Sequence, residues 1–352
     1  MYFFKLNSVF IKISFLFFLT LACDNSKVVD FPLTQFVSGE LVDDISIFSD
    51  GNIYLNVVDT FLVVQANNEK IFALYSTNTH ELLTKFGKEG RGPGEFLGPS
   101  LMKQTGFDKT NNSPVIYAFD YKRQEINTIN IFNAINNEKY NLQENLSTNS
   151  DFLPYFHYID NDFYLASPEY KARFLKYNFN SSEIEYIPFV PEVDFSIPFN
   201  DLQSVYRSAV YVNKDKGLIV AAPYLLGQLD FFDLEGNFLH STVLENIENN
   251  KMELEAGSDN WNNIKLQISD LDAHGDSIFA LNHNNAINKF YGDKRENNVK
   301  IQIFNWSGDP IKELILDDRL ITSFAVDIIH NRIYAYAPNE INSNLLIYNL
   351  ED

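Results

Sequence analysis

Four groups of residues in this 352-residue chain have types and spacings that could do chemistry. The first is Gly90-x-Gly92-x-Gly94, inside the run Phe86–Phe96, which holds four glycines and a proline. Backbone amides of a glycine-rich loop can cradle phosphate. A Walker loop, however, needs Gly-Lys-Ser/Thr opening a helix, and a dinucleotide loop needs G-x-G-x-x-G ahead of one. Neither spacing is present, and Pro93 removes an amide that would face phosphate. The run therefore reads as a shaped turn, with Arg91 and Glu95 as candidate interaction residues. The second group is Asp270-Leu271-Asp272-Ala273-His274-Gly275-Asp276. Glycine is sixth, as in a calcium loop, but His274 is fifth and Leu281 twelfth, where calcium needs oxygen ligands. A turn ahead of a strand at Ile278 is expected instead.

The third group is the six histidines, His80, His157, His240, His274, His283 and His330. No two have a helical zinc spacing, and none is joined to a cysteine. There is no G-x-S-x-G elbow and no distinctive Ser-His-Asp order. The residues thus assign no catalytic, cofactor-binding or metal-ligating role. The fourth group is Tyr206-Arg207-Ser208 with Pro223-Tyr224. Tyr206, Arg207 and Tyr224 are candidate interaction residues if the strands beside them line the mouth of a channel. The competing expectation is that the two tyrosines pack internally and Arg207 pairs with an acid.

What must position these residues is a set of strands. Aromatic residues make up 15 % of the chain, with 31 Phe and 19 Tyr. Such richness favours strands over helices. Short β-rich runs begin at Phe61, Val115, Phe163, Leu218, Ile278 and Ile333. Their starts are 54, 48, 55, 60 and 55 residues apart. Partner runs follow several of them: Ile71 to Tyr75, Phe174 to Tyr177, Leu229 to Asp233, Ile301 to Phe304, and Leu345 to Tyr348.

Six units of this size suit an all-β, six-bladed β-propeller, in which each blade is a four-stranded sheet and neighbouring blades cover each other's faces. Burial on both faces explains apolar runs that do not alternate cleanly. A large β-sandwich accounts for the strands but not for the spacing. The last unit ends at Leu350, without room for an outer strand. Leu33 to Val42 offers a spare strand, and its pairing with the last blade is expected to close the ring. After residue 22 no helix longer than two turns is expected; Asn200 to Tyr206 is the one short candidate.

The first residues read as an address. Lys5 and Lys12 precede the apolar run Ile13 to Ala22. Ten residues are too few to span a bilayer, which takes about 20, but fit a secretory signal. Cys23 follows immediately and is the only cysteine, so the folded body has no disulfide and no thiolate site. The segment resembles a bacterial lipoprotein signal, with Cys23 as the lipidated residue. The domain reading is a signal peptide at 1–22, a tether at 23–32 and one propeller domain at 33–352. With Lys5 and Lys12 removed from the 27 basic residues, 25 face 47 acidic ones, a net charge of −22. Such a surface repels nucleic acid and anionic membranes; its plain reading is solubility, and a basic or cationic partner is the sharper one.

Phe86-Gly87, Gly90, Gly92, Gly94-Glu95-Phe96 and Pro99 resemble the start of an NHL repeat. Ile116 to Asp120, Lys122-Arg123 and Ile126 to Ile131 fill its later places. The Gly-Arg-Gly-Pro-Gly-Glu-Phe string is also similar to that of TolB-like six-bladed propeller lipoproteins of Gram-negative bacteria. The resemblance implies a propeller anchored by lipid in the cell envelope, at the outer membrane, and implies no substrate or cofactor. The expected function is a binding scaffold for a protein, peptide or small ligand, with no nucleic-acid partner and with the membrane reached through Cys23. The alternative is a hydrolase or lyase with a metal-assisted site at the channel mouth. That would need at least three His/Asp/Glu side chains converging from different blades.

Overall fold

The computed structural model describes residues 28–43, 45–47, 52–66, 68–108, 110, 112–145, 156–159, 163–166, 172–261, 263–290, 297–340 and 343–351. Cys23 and the segment read as a signal lie outside the described residues. Within them the chain is an all-β propeller. Strands form six sheets of four or five strands and one two-stranded ribbon. The first sheet joins Tyr54–Val58, Phe61–Gln65, Phe72–Ser76 and Leu82–Phe86. The second joins Pro99–Phe107, Pro114–Asp120, Glu125–Asn130 and Asn141–Asn145. The third is Phe156–Tyr158, Phe163–Ala166, Phe174–Asn178 and Ile184–Ile187. The fourth is Ser208–Asn213, Leu218–Pro223, Gln228–Asp233 and Phe238–Val243.

The last two sheets borrow from the N-terminus. The fifth consists of Lys265–His274, Ser277–Ala286, Lys300–Asn305 and Pro310–Leu316, with Thr34–Val37 added in parallel as a fifth strand. The sixth has Ser323–Asp327, Arg332–Tyr336 and Leu345–Asn349 in sequence. Its fourth strand is Glu40–Leu41, antiparallel to Leu346–Ile347. The spare segment expected to pair with the last unit is thus divided between two sheets. Residues read as tether also touch the body: Val29 N–H donates to the Val243 carbonyl at 2.9 Å, and the Phe31 ring packs edge-on against Phe304 at 5.3 Å.

The six sequence runs are the second strands of the six sheets, and the partner runs are third strands. These middle strands are buried on both faces, as in Pro114–Asp120 and Leu218–Pro223. Fourth strands are half-solvated, as in Leu82–Phe86 and Phe238–Val243. The first strand of each sheet packs beside the first strand of the next, and Ser323–Asp327 packs beside Tyr54–Val58.

Side chains tie most of these first strands together. Leu55 N–H donates to Ser323 Oγ at 3.2 Å. Asn56 Nδ2 reaches the carbonyls of Met102 at 2.8 Å and Lys103 at 3.1 Å. Gln104 links three sheets: Nε2 donates to Tyr158 O at 2.7 Å and Val212 O at 3.2 Å, while Oε1 accepts from Tyr158 N–H at 2.7 Å. Val326 N–H donates to Asp272 Oδ2 at 2.9 Å. Backbone groups at these junctions, which lack a ladder partner, are thereby satisfied.

Because antiparallel strands run in chain order, connections after second and fourth strands share one end of the sheets, and those after first and third strands share the other. Two long connections, 188–207 and 244–264, stand at the first end. The expected short turn near Tyr206 is present as Phe199–Asp201 and helix Leu202–Tyr206. The expectation of no longer helix is corrected by Glu248–Ala256, nine residues or two and a half turns. Only a few of its side chains face inward, Asn250 and Leu254 among them, so it leaves little apolar periodicity to read.

Candidate functional site

Three places could carry function: the glycine-rich connection, the axis, and the end bearing the two insertions. The connection is an internal latch. Lys88–Glu89 pairs with Glu95–Phe96, and Glu95 accepts from the Gly92 amide at 2.6 Å and meets Lys88 at 2.9 Å. The Gly92 hydrogen bond, then the Lys88 ammonium, hold its carboxyl below the usual range. Gly90 has φ +152°, and a Cβ there would lie 2.1 Å from Glu95 Oε2. Asp120 receives the amides of Leu97 at 2.7 Å and Gly98 at 3.0 Å. Arg123 Nη1 donates to the Glu95 carbonyl at 2.9 Å. Glycine is required so that Glu95 can fold back over the loop. Glu95 therefore shapes the junction, while Arg91 is exposed.

At the axis sits a residue that sequence reading did not single out. Lys103, from the second sheet, ends 2.9 Å from Asp270 Oδ2 of the fifth. Its ammonium also donates to Leu55 O at 3.3 Å in the first sheet and to Phe324 O in the sixth. It lies 4.8 Å from the Phe324 ring centroid. One cation thus binds groups of three other sheets. Burial raises the Asp270 pKa, with Lys103 pulling the other way. Asp270 and Asp272 lie on the strand Lys265–His274, their carboxylates engaged by Lys103 and by Val326 N–H, and the expected turn ahead of the strand holding Ile278 is present at Gly275-Asp276.

The histidines are dispersed over five sheets. His283 Nε2 is 2.7 Å from Ser269 Oγ, across a bulge in the fifth sheet. His274, at the end of the adjoining strand Lys265–His274, lies 3.3 Å from Asp272. Burial disfavours its charged form, but Asp272 outweighs burial and raises its pKa above 6.5. His330 contacts Asp327 at 2.8 Å and Asn78 at 2.9 Å, and His80 contacts Tyr334 at 3.1 Å. Burial pushes His157 down to about 4 and so keeps the ring neutral. His240 stacks on Phe231 with centroids 4.6 Å apart. Among the described residues no three His, Cys, Asp or Glu are arranged to hold a metal ion.

The end bearing the insertions gathers the remaining candidates. Arg207 is exposed, and its guanidinium lies 5.9 Å from the ring of half-buried Tyr224. Tyr224 N–H donates to Arg207 O at 2.9 Å, which fixes the two side by side. Tyr206 instead faces inward. It is 3 % exposed, and its hydroxyl donates to Pro191 O at 2.7 Å. Its ring, with Phe174 and Phe232, surrounds the Arg173 guanidinium at 5.1 to 5.4 Å. Arg173 and Asp230 form a fully buried pair at 2.7 Å. Asp230 also accepts from Gln228 Nε2 at 2.7 Å and Ser241 Oγ at 2.5 Å. A buried ion pair needs such extra hydrogen bonds to offset desolvation.

Above this floor the two insertions make one cap. Val205, Leu225, Leu226, Leu254 and Ile264 are buried together, with Phe195 and Trp261 packed against them. Asp201 accepts from Ser258 N–H at 3.0 Å. Asn250 donates to Leu225 O at 2.8 Å and Lys265 O at 2.9 Å. Arg207 and Tyr224 stand beside this cap.

Comparison with known proteins agrees with the geometry. No curated protein matches the sequence. A Bacteroides fragilis protein described as exported is similar in structure, with 10 % identity, 93 % of this chain and 96 % of that chain covered, and a TM-score of 0.51. A member of the DUF4221 family from Bacteroides vulgatus has 10 % identity, coverage of 92 % and 98 %, and a TM-score of 0.52. At such identity the likeness is one of fold alone. The family model for TolB-like 6-blade propeller-like proteins matches residues 54–328, well over half of the chain, and with the six sheets and their abutting first strands the chain belongs to the TolB-like propeller family.

Proposed function

We propose that this chain is a lipid-anchored propeller of the cell envelope that works as a binding scaffold, meeting a protein or ligand at its insertion-bearing end. One observation carries the binding reading. Lys103 ties first strands of four sheets to one another, whereas the insertions and the exposed Arg207 stand together at one end. With the first strands committed to one another, recognition is assigned to that end surface. Six blades closed by the N-terminal segment are supported by the six sheets and by the pairing of Glu40–Leu41 with Leu346–Ile347. The anchor reading rests on the apolar run ending at Cys23 and on the exported description of the Bacteroides fragilis neighbour. A metal-assisted hydrolase or lyase would need a ligand set, and nothing among the described residues favours that reading.

Two measurements test the proposal. Cys23→Ala is expected to move the protein from the membrane to the soluble fraction; unchanged retention overturns the anchor. A photo-cross-linking residue placed at position 207 in cells is expected to give partner adducts. One at position 83, on the exposed outer strand of the first sheet, is expected to give none. Equal labelling at the two positions, or none at 207, overturns the scaffold reading.

A further inference from the structure

We infer that the capped end is a docking surface for a basic amphipathic segment of a partner protein, an assignment that rests on the scaffold reading and narrows it. The cap presents two large apolar side chains to water: Phe199 and Met252, each 73 % exposed. Both sit on a rigid base. The turn carrying Phe199 is held to the end of helix Glu248–Ala256 by the Ser258 amide on Asp201. The helix itself is fastened by Asn250 and Leu254. Single exposed apolar side chains are ordinary; these two differ in standing on one fastened cap, and methionine adapts its shape to varied apolar partners.

The charge around them selects the partner. On the helix, Glu248 and Glu255 lie four residues before and three after Met252, and so share its face; Glu248 is met at 3.3 Å by Lys251, the one cation of this helix, which leaves the face acidic on balance. Glu192 and Asp194 are exposed in the other insertion. Together the connections 188–207 and 244–264 hold eight acidic residues and two basic ones. An amphipathic helix with Lys or Arg flanking its apolar stripe would place that stripe on Phe199 and Met252 and its cations on the glutamates. An anionic bilayer would be repelled by the same carboxylates. A second copy meeting this face symmetrically would set glutamate against glutamate.

The test uses the mature protein and a Lys/Leu peptide of about four amphipathic turns, with a Glu/Leu peptide of the same pattern and anionic phosphatidylglycerol vesicles as comparisons. Binding to the Lys/Leu peptide is expected to weaken about tenfold or more in Phe199→Ser/Met252→Ser and in Glu248→Lys/Glu255→Lys. It is also expected to fall as salt is raised. Both pairs are exposed, and the Glu248–Lys251 pair lost in one variant is a surface pair of small worth, so thermal midpoints should stay close to wild type and show that the variants are folded. No binding to the Lys/Leu peptide, equal binding by the variants, or equal binding of the Glu/Leu peptide overturns the inference. So does a surface that answers only to vesicles or to self-association. If cross-links form at position 207 while the peptide fails, the scaffold stands and the basic-segment assignment falls; if both fail, the scaffold falls with it.

Discussion

Lys103→Met is expected to destabilise the propeller by about 2–4 kcal/mol, a little under the cost of breaking a fully buried ion pair. The side chains of Lys103 and Asp270 keep 13 % and 19 % of their exposure, which holds the figure below the fully buried limit. Two components add. Asp270 loses its counter-charge, and the carbonyls of Leu55 and Phe324 lose a charged donor. At roughly 2.1 cal/mol/K per residue, a fold of about 330 residues has an unfolding entropy near 0.7 kcal/mol/K, so the thermal midpoint should drop by ~3–6 °C. Burial already lifts the Asp270 pKa above 3.8, and loss of Lys103 lifts it further. A carboxyl whose folded pKa is raised binds its proton better in the folded state, so stability falls as pH rises through the gap. The deficit of the variant should therefore shrink toward acid pH, and Lys103→Met/Asp270→Leu should recover part of it at neutral pH. Scanning calorimetry at several pH values reads all three effects. A midpoint within 1 °C of wild type, or a double variant no better than the single, would refute the claim that one cation holds the axis.

Removing residues 33–42 deletes both borrowed strands and the buried side chains of Val37 and Val42. Lost apolar burial and about six backbone hydrogen bonds should cost on the order of 5 kcal/mol, and an unchanged urea midpoint would show that the borrowed strands are ornamental. His274→Gln addresses pH from the other side. Because Asp272 raises the folded pKa of His274 above 6.5, the stabilisation is complete below pH 6.5 and fades as pH rises through the folded value. The variant should lose that decline, and identical slopes for both proteins above pH 6.5 would sink the pairing as a source of stability.

How much was legible follows from where each strand sits. Second and third strands are covered on both faces, so Val115 to Phe119 or Leu218 to Ala221 appear as unbroken apolar runs. First strands face the axis and carry the polar ties. Pro99–Phe107 contains Ser100, Lys103 and Gln104, and nothing local in that mixture announces a buried strand. Fourth strands are half-solvated and short on contrast. Lys103 was hidden for a further reason: its partners Leu55, Asp270 and Phe324 are 48, 167 and 221 residues away. The glycine-rich run was readable as a junction because its backbone demands are local. Internal packing of Tyr206 was one of the two expectations, but its cause, the guanidinium of Arg173, was not legible, since nothing local links the two residues.

The division of the N-terminal segment between two sheets sets a schedule for making the molecule. Gly39 is gripped between the two borrowed strands: its amide donates to Asp317 at 2.8 Å, and Arg319 donates to its carbonyl at 2.7 Å. These contacts join parts of the chain separated by 278 and 280 residues. Loop-closure entropy grows only logarithmically, so spanning ~300 residues costs about 3 kcal/mol more than spanning ten. Time is the harsher constraint. The residues that finish the fifth and sixth sheets emerge first, and their mates around Pro310–Leu316 and Leu345–Asn349 emerge last. Until then Leu33, Phe36 and Val37 wait as an unpaired edge, the kind of surface that other chains can join. A chain stopped before Pro310 would therefore leave both borrowed strands without mates, and one stopped before Leu345 would still orphan Glu40–Leu41.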